Sequence, residues 1–299
     1  MKLILAYIGI LLIWSTTPLA IKWSSENVHF LLSASTRMGL AFLAVIPVLL
    51  WKEKYLPLNR KAMKSYASGA IGMFLAISMV YWAAQSVDSG VISVIYGFTP
   101  LLTGVQAYYI LGDRFGLRQS IGVLCALSGL GVVFLFTQGS SATYSGLLVL
   151  FISVTCYGLS NVLIKYINAP VTPLQQTTGS LLFTTIGFTW LCTMAGVSLD
   201  ALSDFNPAYN SRALISLLYL SLICSAVGFF LLYYVLSRLS AGAVSLITLV
   251  TPVVALVLGS QFNDEQIGWN TIAGSALIAL GLIAYEWVPL KTLCTKRQV

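Results

Sequence analysis

Aromatic, hydroxyl and amide side chains occur at similar depths in six long apolar stretches of the sequence. Rings combined with hydroxyls and amides could bind a small organic molecule that has an apolar body and a few polar atoms. The same hydroxyls could instead bond backbone carbonyls between neighbouring helices, and the sequence leaves both roles open for any single residue. As a convergent set, the candidate substrate-binding residues are Trp14, Ser15, Thr17, Ser78, Tyr81, Tyr96, Thr99, Tyr157, Asn161, Tyr233, Tyr234, Thr248 and Thr251.

Arg37 is a lone arginine inside an apolar stretch, in the run S-T-R-M-G-L. A charged side chain within a membrane helix is costly, and such residues normally face the interior of the bundle or water. Arg37 is therefore a candidate contact for a substrate carboxylate. The alternative is a structural arginine that pairs with backbone carbonyls or extends to the membrane interface.

Two prolines lie near the middle of apolar stretches, Pro100 and Pro252. A proline removes one backbone donor and displaces the carbonyl four residues earlier, here those of Tyr96 and Thr248. Freed backbone groups at mid-membrane depth are tolerated where neighbours satisfy them or where they line a cavity. We predict that the two prolines are hinges beside the substrate site.

The sequence contains few residues of the types that catalyse reactions or bind metals. His29 is the single histidine, and the five cysteines show neither C-x-x-C nor Cys/His spacing. The sequence also has no G-x-x-x-x-G-K-[ST] phosphate-binding loop. We therefore expect no catalytic residues, no metal site, no cofactor and no enzyme activity. The acidic residues all fall in loops or at the edges of apolar segments: Glu26, Glu53, Asp88, Asp113, Asp200, Asp204, Asp264, Glu265 and Glu286.

The composition indicates that a lipid bilayer surrounds these residues. The chain of 299 residues is 58% hydrophobic and only 8% charged, whereas soluble domains carry roughly 25% charged residues. A helix needs about 20 apolar residues to cross a bilayer core. Because long, continuously apolar segments must satisfy their own backbone in lipid, we predict an all-α integral membrane protein rather than a β-barrel. The ten predicted transmembrane helices, spans 1 to 10, are 3–22, 30–51, 65–86, 89–111, 118–137, 145–167, 173–195, 211–236, 241–262 and 269–289.

The basic residues predict the orientation of these spans. With a cytoplasmic N-terminus, thirteen Lys and Arg residues fall on the cytoplasmic side, and only Lys22 and Arg212 fall outside. The positive-inside rule therefore predicts a multi-pass protein with both termini in the cytoplasm.

An internal repeat divides the chain into two halves. At an offset of 152 residues, Thr99-Pro100 matches Thr251-Pro252, and several glycines match without a gap; at an offset of 143, Trp14…Lys22 matches Tyr157…Lys165. The predicted units are 1–138, 144–289 and a cytoplasmic basic tail, 290–299. Each unit holds five spans, and because five is odd the second crosses the membrane in the opposite sense. This 5+5 inverted-topology repeat is a plan of secondary transporters that work by alternating access.

These features together resemble the drug/metabolite transporter superfamily, specifically its EamA-type bacterial members. The resemblance lies in the ten-span inverted repeat, the run W-S-T-T-P-L-A-I-K, Arg37, and the Thr-Pro pairs followed about thirteen residues later by an acid. It implies an exporter of amino acids or related small metabolites in the bacterial cytoplasmic (inner) membrane, with a cavity lined by spans 1, 3, 4, 6, 8 and 9. Asn161 departs from the repeat, because it stands where the first half has Pro18.

Two other functions stay open at this point. A multidrug exporter of lipophilic cations is disfavoured because the first span has no glutamate, on which the small multidrug exporters of this superfamily depend. A membrane-embedded lipid-modifying enzyme would need a cluster of His, Asp, Glu or Cys residues at one interface.

The expected partners are a small-molecule substrate and the lipid bilayer, without nucleic acid. Small residues in spans 5 and 10 predict close helix packing, either between these two spans or in a homodimer: Gly122, Ala126, Gly129, Gly274 and Gly281.

Overall fold

The computed structural model describes residues 2–26, 28–112, 143–197, 211–245, 247–263 and 268–286, with eight further positions between 121 and 132. Every regular element in these ranges is a helix. We refer to each helix by the number of the predicted span that it occupies. Most of the predicted fifth span lies outside the described residues, and its eight described positions are helical.

The helices follow the predicted spans closely. Six of those described are long and apolar enough to cross a membrane: spans 1, 2, 3, 4, 6 and 8. The bounds are Lys2–Ser24 for span 1, Phe30–Lys52 for span 2, Arg60–Ala83 for span 3, Ser89–Leu111 for span 4, Tyr144–Ile167 for span 6, Pro173–Met194 for span 7, Ser211–Leu236 for span 8, Ala241–Ser245 and Ile247–Phe262 for span 9, and Trp269–Glu286 for span 10.

Polar residues fix the beginnings of several helices. Thr172 and Gln175 form a capping box at span 7, in which each side chain accepts a hydrogen bond from the other residue's backbone N–H. The side chain of Asn59 accepts from the N–H of Ala62 at span 3, and Thr143 accepts from Gly146 at span 6. These contacts satisfy N–H groups that a helix start leaves without a partner.

Three helices depart from regular α geometry. Span 3 contains a π-helical segment, Ile71–Leu75, and span 8 contains another, Leu220–Val227. Span 4 is interrupted at Gly97 and Phe98, between Ser89–Tyr96 and Thr99–Leu111. Such π segments are rare and often occur at functional sites, because they change which side chains face a neighbour.

Close approach of spans 3 and 7 depends on glycine. A Cβ atom at Gly179 would lie 2.4 Å from the Tyr66 ring, and a Cβ at Gly69 would lie 2.0 Å from Ser180 Oγ. Tyr66 is completely buried by this arrangement. On the outside of the bundle, large apolar side chains such as Leu5 and Trp190 are exposed, as expected for helices surrounded by lipid.

The small residues of spans 5 and 10 meet within the chain. A Cβ atom at Gly129 would lie 2.7 Å from the carbonyl oxygen of Gly274 and 2.8 Å from the amide nitrogen of Ile278. The sequence left open whether these glycines pack within one chain or in a homodimer. The contact between Gly129 and span 10 accounts for Gly129 and Gly274, and the homodimer stays a prediction.

Candidate functional site

A central cavity lies among helices from both halves of the chain. The centre of a water-sized sphere can reach about 90 Å³ of it, and its aromatic lining suits a small organic ligand. Its walls are largely aromatic and aliphatic, with a few hydroxyl groups and one charged side chain. The lining residues come from spans 1, 2, 3, 4, 6, 8 and 9: Trp14, Thr17, Pro18, Ile21, Arg37, Gly72, Ile77, Val80, Ile92, Ser93, Tyr96, Tyr157, Phe229, Thr248 and Thr251.

A connected group of five rings forms one wall of the cavity. Trp14 contacts Tyr157 and Phe229 edge to face, with ring centroids 5.8 and 6.3 Å apart. Tyr96 lies 6.1 Å from Tyr157. The fifth ring, Tyr233, stacks on Phe229 at 6.3 Å and faces a second cavity. The rings therefore join spans 1, 4, 6 and 8 and separate the two cavities.

The two Thr-Pro pairs form the same local contact. The hydroxyl of Thr99 donates to the carbonyl of Tyr96 at 2.5 Å, and that of Thr251 donates to the carbonyl of Thr248 at 3.0 Å. These are the two carbonyls that the following prolines leave without a backbone donor. Each hydroxyl therefore satisfies the backbone group that its neighbouring proline freed.

The prolines differ in their place within the helices. Pro100 lies in the first turn of Thr99–Leu111, directly after the interruption of span 4, where a missing N–H is tolerated. Pro252 lies inside Ile247–Phe262. Span 4 is thus broken in the turn between Tyr96 and Pro100, the turn that a proline disturbs.

Arg37 is buried and faces the cavity, with 2% of its surface exposed. Its Nε donates to the hydroxyl of Ser225 in the π-helical segment of span 8 at 2.8 Å. Its Cζ lies 5.9 Å from the centre of the Tyr81 ring. Nη1 has no hydrogen-bond partner among the described residues. Of the two roles that the sequence allowed, extension to the membrane interface is not what the structure shows.

Charged and polar pairs join the helices at the end of the bundle where span 1 ends. Lys22 pairs with Asp88 at the start of span 4, with Nζ and Oδ1 3.2 Å apart. The Trp23 indole donates to Asn263, just after span 9, at 3.1 Å. Arg212, at the start of span 8, pairs with Glu26. Two of these three contacts connect the two halves of the chain at this end.

A second, more polar cavity lies at the opposite end. It is bordered by the last turns of spans 6 and 8 and the first turns of spans 3 and 7, and the centre of a water-sized sphere can reach about 210 Å³ of it. Gln176 accepts from the hydroxyl of Ser65 at 2.6 Å and donates to Ser180 at 3.0 Å. Lys165 also borders this cavity. No carboxylate among the described residues forms an ion pair with Lys165.

Seven of the predicted site residues line the central cavity, and seven do not. Those that line it are Trp14, Thr17, Arg37, Tyr96, Tyr157, Thr248 and Thr251. The remaining residues lie nearby with other partners. Ser15 and Ser78 donate to carbonyls of their own helices at 2.8 and 2.9 Å, and Thr99 does so as described above.

The other four residues are three tyrosines and one asparagine. Tyr81 is buried beside Arg37 and lies 3.3 Å from the Ser24 hydroxyl. Tyr233 borders the second cavity, and Tyr234 lies under the guanidinium of Arg238 at 3.7 Å. Asn161 is buried, and its Nδ2 has no partner in the part of the chain described.

Sequence reasoning did not single out several residues of the cavity. Phe229 lies one helical turn before Tyr233 and could have been found from that spacing. The aliphatic liners Ile21, Val80 and Ile92 resemble every other apolar residue of a membrane helix, so no signal in the sequence marks them. Asp88 was placed at a segment edge, and its pairing with Lys22 follows only from the packing of spans 1 and 4.

The profile of the EamA-like transporter family matches residues 1–135 and again residues 144–285. The chain belongs to the EamA-like transporter family. The resemblance to the drug/metabolite transporter superfamily is therefore confirmed, and the chain is a multi-pass membrane protein of a transporter family.

Individual relatives agree with this membership. "Uncharacterized transporter YoaV" of Bacillus subtilis (strain 168) is 26% identical, covering 94% of this chain and 95% of the relative. An "Uncharacterized transporter" of Archaeoglobus fulgidus is 25% identical over 90% of this chain and 93% of its own length. A "WAT1-related protein At3g02690, chloroplastic" of Arabidopsis thaliana is 24% identical over 91% of this chain and 67% of the relative. A crystal structure with 16% identity superposes over 97% of this chain and 98% of its own, with a TM-score of 0.69, and shows the same fold.

Proposed function

We propose that this protein moves amino acids or related small metabolites across the bacterial cytoplasmic membrane by alternating access, as an exporter. The central cavity carries the proposal, because helices of both halves line it and contacts join the two halves at one end of the bundle. A cavity between two halves can be opened to either side when the halves rock against each other. The cavity walls offer rings for an apolar body and hydroxyls for polar atoms.

The proposed architecture is ten helices in a 5+5 inverted repeat. The family profile matches the chain twice, which supports two related halves. The helix contacts also occur in equivalent pairs when spans 1 to 4 are exchanged with spans 6 to 9. The contact of span 1 with span 9 then corresponds to that of span 6 with span 4, and the contact of span 1 with span 8 to that of span 6 with span 3. The contact of span 2 with span 8 corresponds to that of span 7 with span 3. An exchange of the two halves leaves this contact pattern unchanged, as a two-fold axis requires.

The π-helical segments support the same relation. The offset of 152 residues places Ile71–Leu75 on 223–227, which lies inside Leu220–Val227. Gly72 in the first segment lines the cavity, and Ser225 in the second holds Arg37. Two halves with the same irregularity at the same position are expected when both arose from one five-helix unit.

The charge distribution supports cytoplasmic termini, which places the Lys22 end of the bundle on the outer side. In this orientation the ion pairs of Lys22 and Arg212 close the outer end, and the polar cavity around Lys165 faces the cytoplasm. In the proposed cycle, substrate reaches the central cavity from this cytoplasmic side. Export requires the outer pairs to separate, and the interruption of span 4 before Pro100 offers a bending point, with Pro252 as its counterpart.

Transport by purified protein in proteoliposomes tests the proposal. We expect uptake of labelled amino acids or related metabolites above that of empty liposomes, and faster uptake when the vesicles contain unlabelled substrate, because a carrier exchanges substrate faster than it returns empty. A Trp14→Ala variant serves as the site-deficient control, and Trp190→Ala, on the exposed surface, serves as the matched control. Absence of flux for every amino acid, nucleoside and sugar tested would contradict the proposal.

A further inference from the structure

We infer that the central cavity selects substrates by a single carboxylate group, which binds Arg37, and that a substrate amine is dispensable. The inference rests on the proposed transport function and names the chemical class that the site accepts. It is carried by the contacts of one buried side chain and by the charges missing from the rest of the cavity wall.

The guanidinium of Arg37 is only partly used by the protein. It presents five N–H donors in a planar fork. Nε is occupied by Ser225, and Cζ lies 5.9 Å from the centre of the Tyr81 ring. These two contacts hold the group at the cavity wall. Nη1 is buried, yet no described residue accepts a hydrogen bond from it. A fixed guanidinium with a vacant donor beside a cavity is arranged to receive an acceptor from a ligand.

The charge of Arg37 is also uncompensated by the described protein. The ion pairs among the described residues join Lys22 to Asp88 and Arg212 to Glu26, both at the outer end of the bundle. A buried cation without a partner is unfavourable, and an anion that reaches it gains both charge neutralisation and strong hydrogen bonds. A ligand carboxylate supplies both and matches the fork of the guanidinium.

The remaining wall defines the rest of the ligand. Trp14, Tyr157 and Phe229 offer ring faces and edges to an aromatic or branched aliphatic body. Thr17, Ser93 and Thr251 offer hydroxyls to uncharged polar atoms. None of the described lining residues is acidic, so no carboxylate there forms an ion pair with an ammonium group. A lipophilic cation would meet the unneutralised charge of Arg37 at the same site and is therefore disfavoured.

Matched ligand triplets test the inference on the unaltered protein. For a phenyl body the triplet is 3-phenylpropionate, L-phenylalanine and phenethylamine, and for an isobutyl body it is 4-methylpentanoate, L-leucine and isopentylamine. We expect the carboxylates, with or without the amine, to raise the thermal stability of the purified protein, and the amines to leave it unchanged. Stabilisation by the amines, or by no carboxylate of either triplet, would overturn the inference.

Variants of Arg37 connect that selectivity to its charge. Arg37→Gln should weaken carboxylate binding about 10- to 100-fold, as expected for lost hydrogen bonds to a charged group, and Arg37→Lys should retain part of the affinity. Arg60→Gln, which removes an exposed arginine at the first residue of span 3, is the matched control and should bind as the wild type does. Unchanged carboxylate affinity in a folded Arg37→Gln protein would overturn the inference, and the wild-type triplets decide it if that variant fails to fold.

The two proposals fail in different ways. Carboxylate binding without any flux in proteoliposomes would contradict transport and leave the site in place. Flux of amines or uncharged compounds that is unaffected by Arg37→Gln would contradict the carboxylate site and leave transport in place.

Discussion

The rings of Trp14 and Tyr157 meet edge to face with centroids 5.8 Å apart, on the wall of the central cavity. The two residues hold equivalent positions in the two halves at the 143-residue offset. Residues related by a two-fold axis can touch each other only close to that axis. In the proposed inverted repeat the axis therefore passes through the cavity, which is where a substrate exposed to each side in turn has to bind.

Replacement of Trp14 by alanine should weaken substrate binding about tenfold or more. Trp14 lines the cavity, and an aromatic contact with a ligand is worth about 0.5–1.5 kcal/mol beyond the area that it buries. Thermal shift with the ligand found in the transport screen measures the effect. Trp190→Ala, on the exposed surface, should bind normally. Equal affinity in the two variants would contradict the assignment of the cavity.

Removal of the Lys22–Asp88 pair should favour the outward-open state. The pair is partly exposed, and such pairs contribute about 0–1 kcal/mol, so Asp88→Asn should change the population by up to about fivefold. A cysteine at Ile21, on the cavity wall, would report this as faster labelling from outside. Glu53→Gln, which removes an acid beyond the other end of span 2, is the control. Slower labelling in Asp88→Asn would contradict the closed outer end.

The repeat predicts a second variant with the same effect. Lys165 is equivalent to Lys22, and Ser240 is equivalent to Asp88, so the second half has the lysine without the acid. Ser240→Asp should create the corresponding ion pair at the cytoplasmic end and stabilise the outward-open state. Labelling of the cysteine at Ile21 should then accelerate, whereas Ser240→Asn should leave its rate unchanged. Acceleration by both variants would rule out an effect of the new charge.

Gly179→Ala should destabilise the protein by about 1–3 kcal/mol, because the new Cβ would overlap the Tyr66 ring and force spans 3 and 7 apart. A lowered unfolding temperature in detergent would show this. Gly39→Ala is the control, since a Cβ there meets nothing within 4 Å and alanine favours the helix. Equal unfolding temperatures for the two variants would contradict the packing of spans 3 and 7.

Thr99→Val and Thr251→Val should each destabilise the protein by about 1–3 kcal/mol, because each removes a hydroxyl that donates to a carbonyl beside a proline. Serine at either position should restore most of the stability. Thr189→Val removes an exposed hydroxyl whose acceptor, the carbonyl of Thr185, lies in a regular helix, and it should have little effect. Loss of stability with serine as large as with valine would contradict the role of the hydroxyls.

The sequence predicted the positions of the helices well, because apolar length and helix-start residues are local properties. It also identified Trp14, Arg37 and Tyr157, whose residue types are unusual within a span. Ser15 shows why the rest could not be predicted. Successive residues of a helix point about 100° apart, so Ser15 turns from the cavity to the carbonyl of Leu11. Which residues face inward depends on the rotation of each helix against its neighbours, and that is a tertiary property.

Two of the irregular segments were beyond the sequence analysis. The π-helical segments of spans 3 and 8 contain no proline, and nothing in their composition marks them. The break in span 4 is different, because it falls at Gly97 and Phe98, in the turn before Pro100 that a proline disturbs.

Cysteine labelling at two equivalent positions tests the inverted repeat most directly. Gln85 and Ser237 are separated by the 152-residue offset, and both side chains are exposed. In a protein freed of its native cysteines, a maleimide that does not cross membranes should label a cysteine at Gln85 in intact cells. A cysteine at Ser237 should react only after the cells are made permeable. Labelling of both positions from the same side would contradict two halves of opposite orientation, and with them the proposed mechanism.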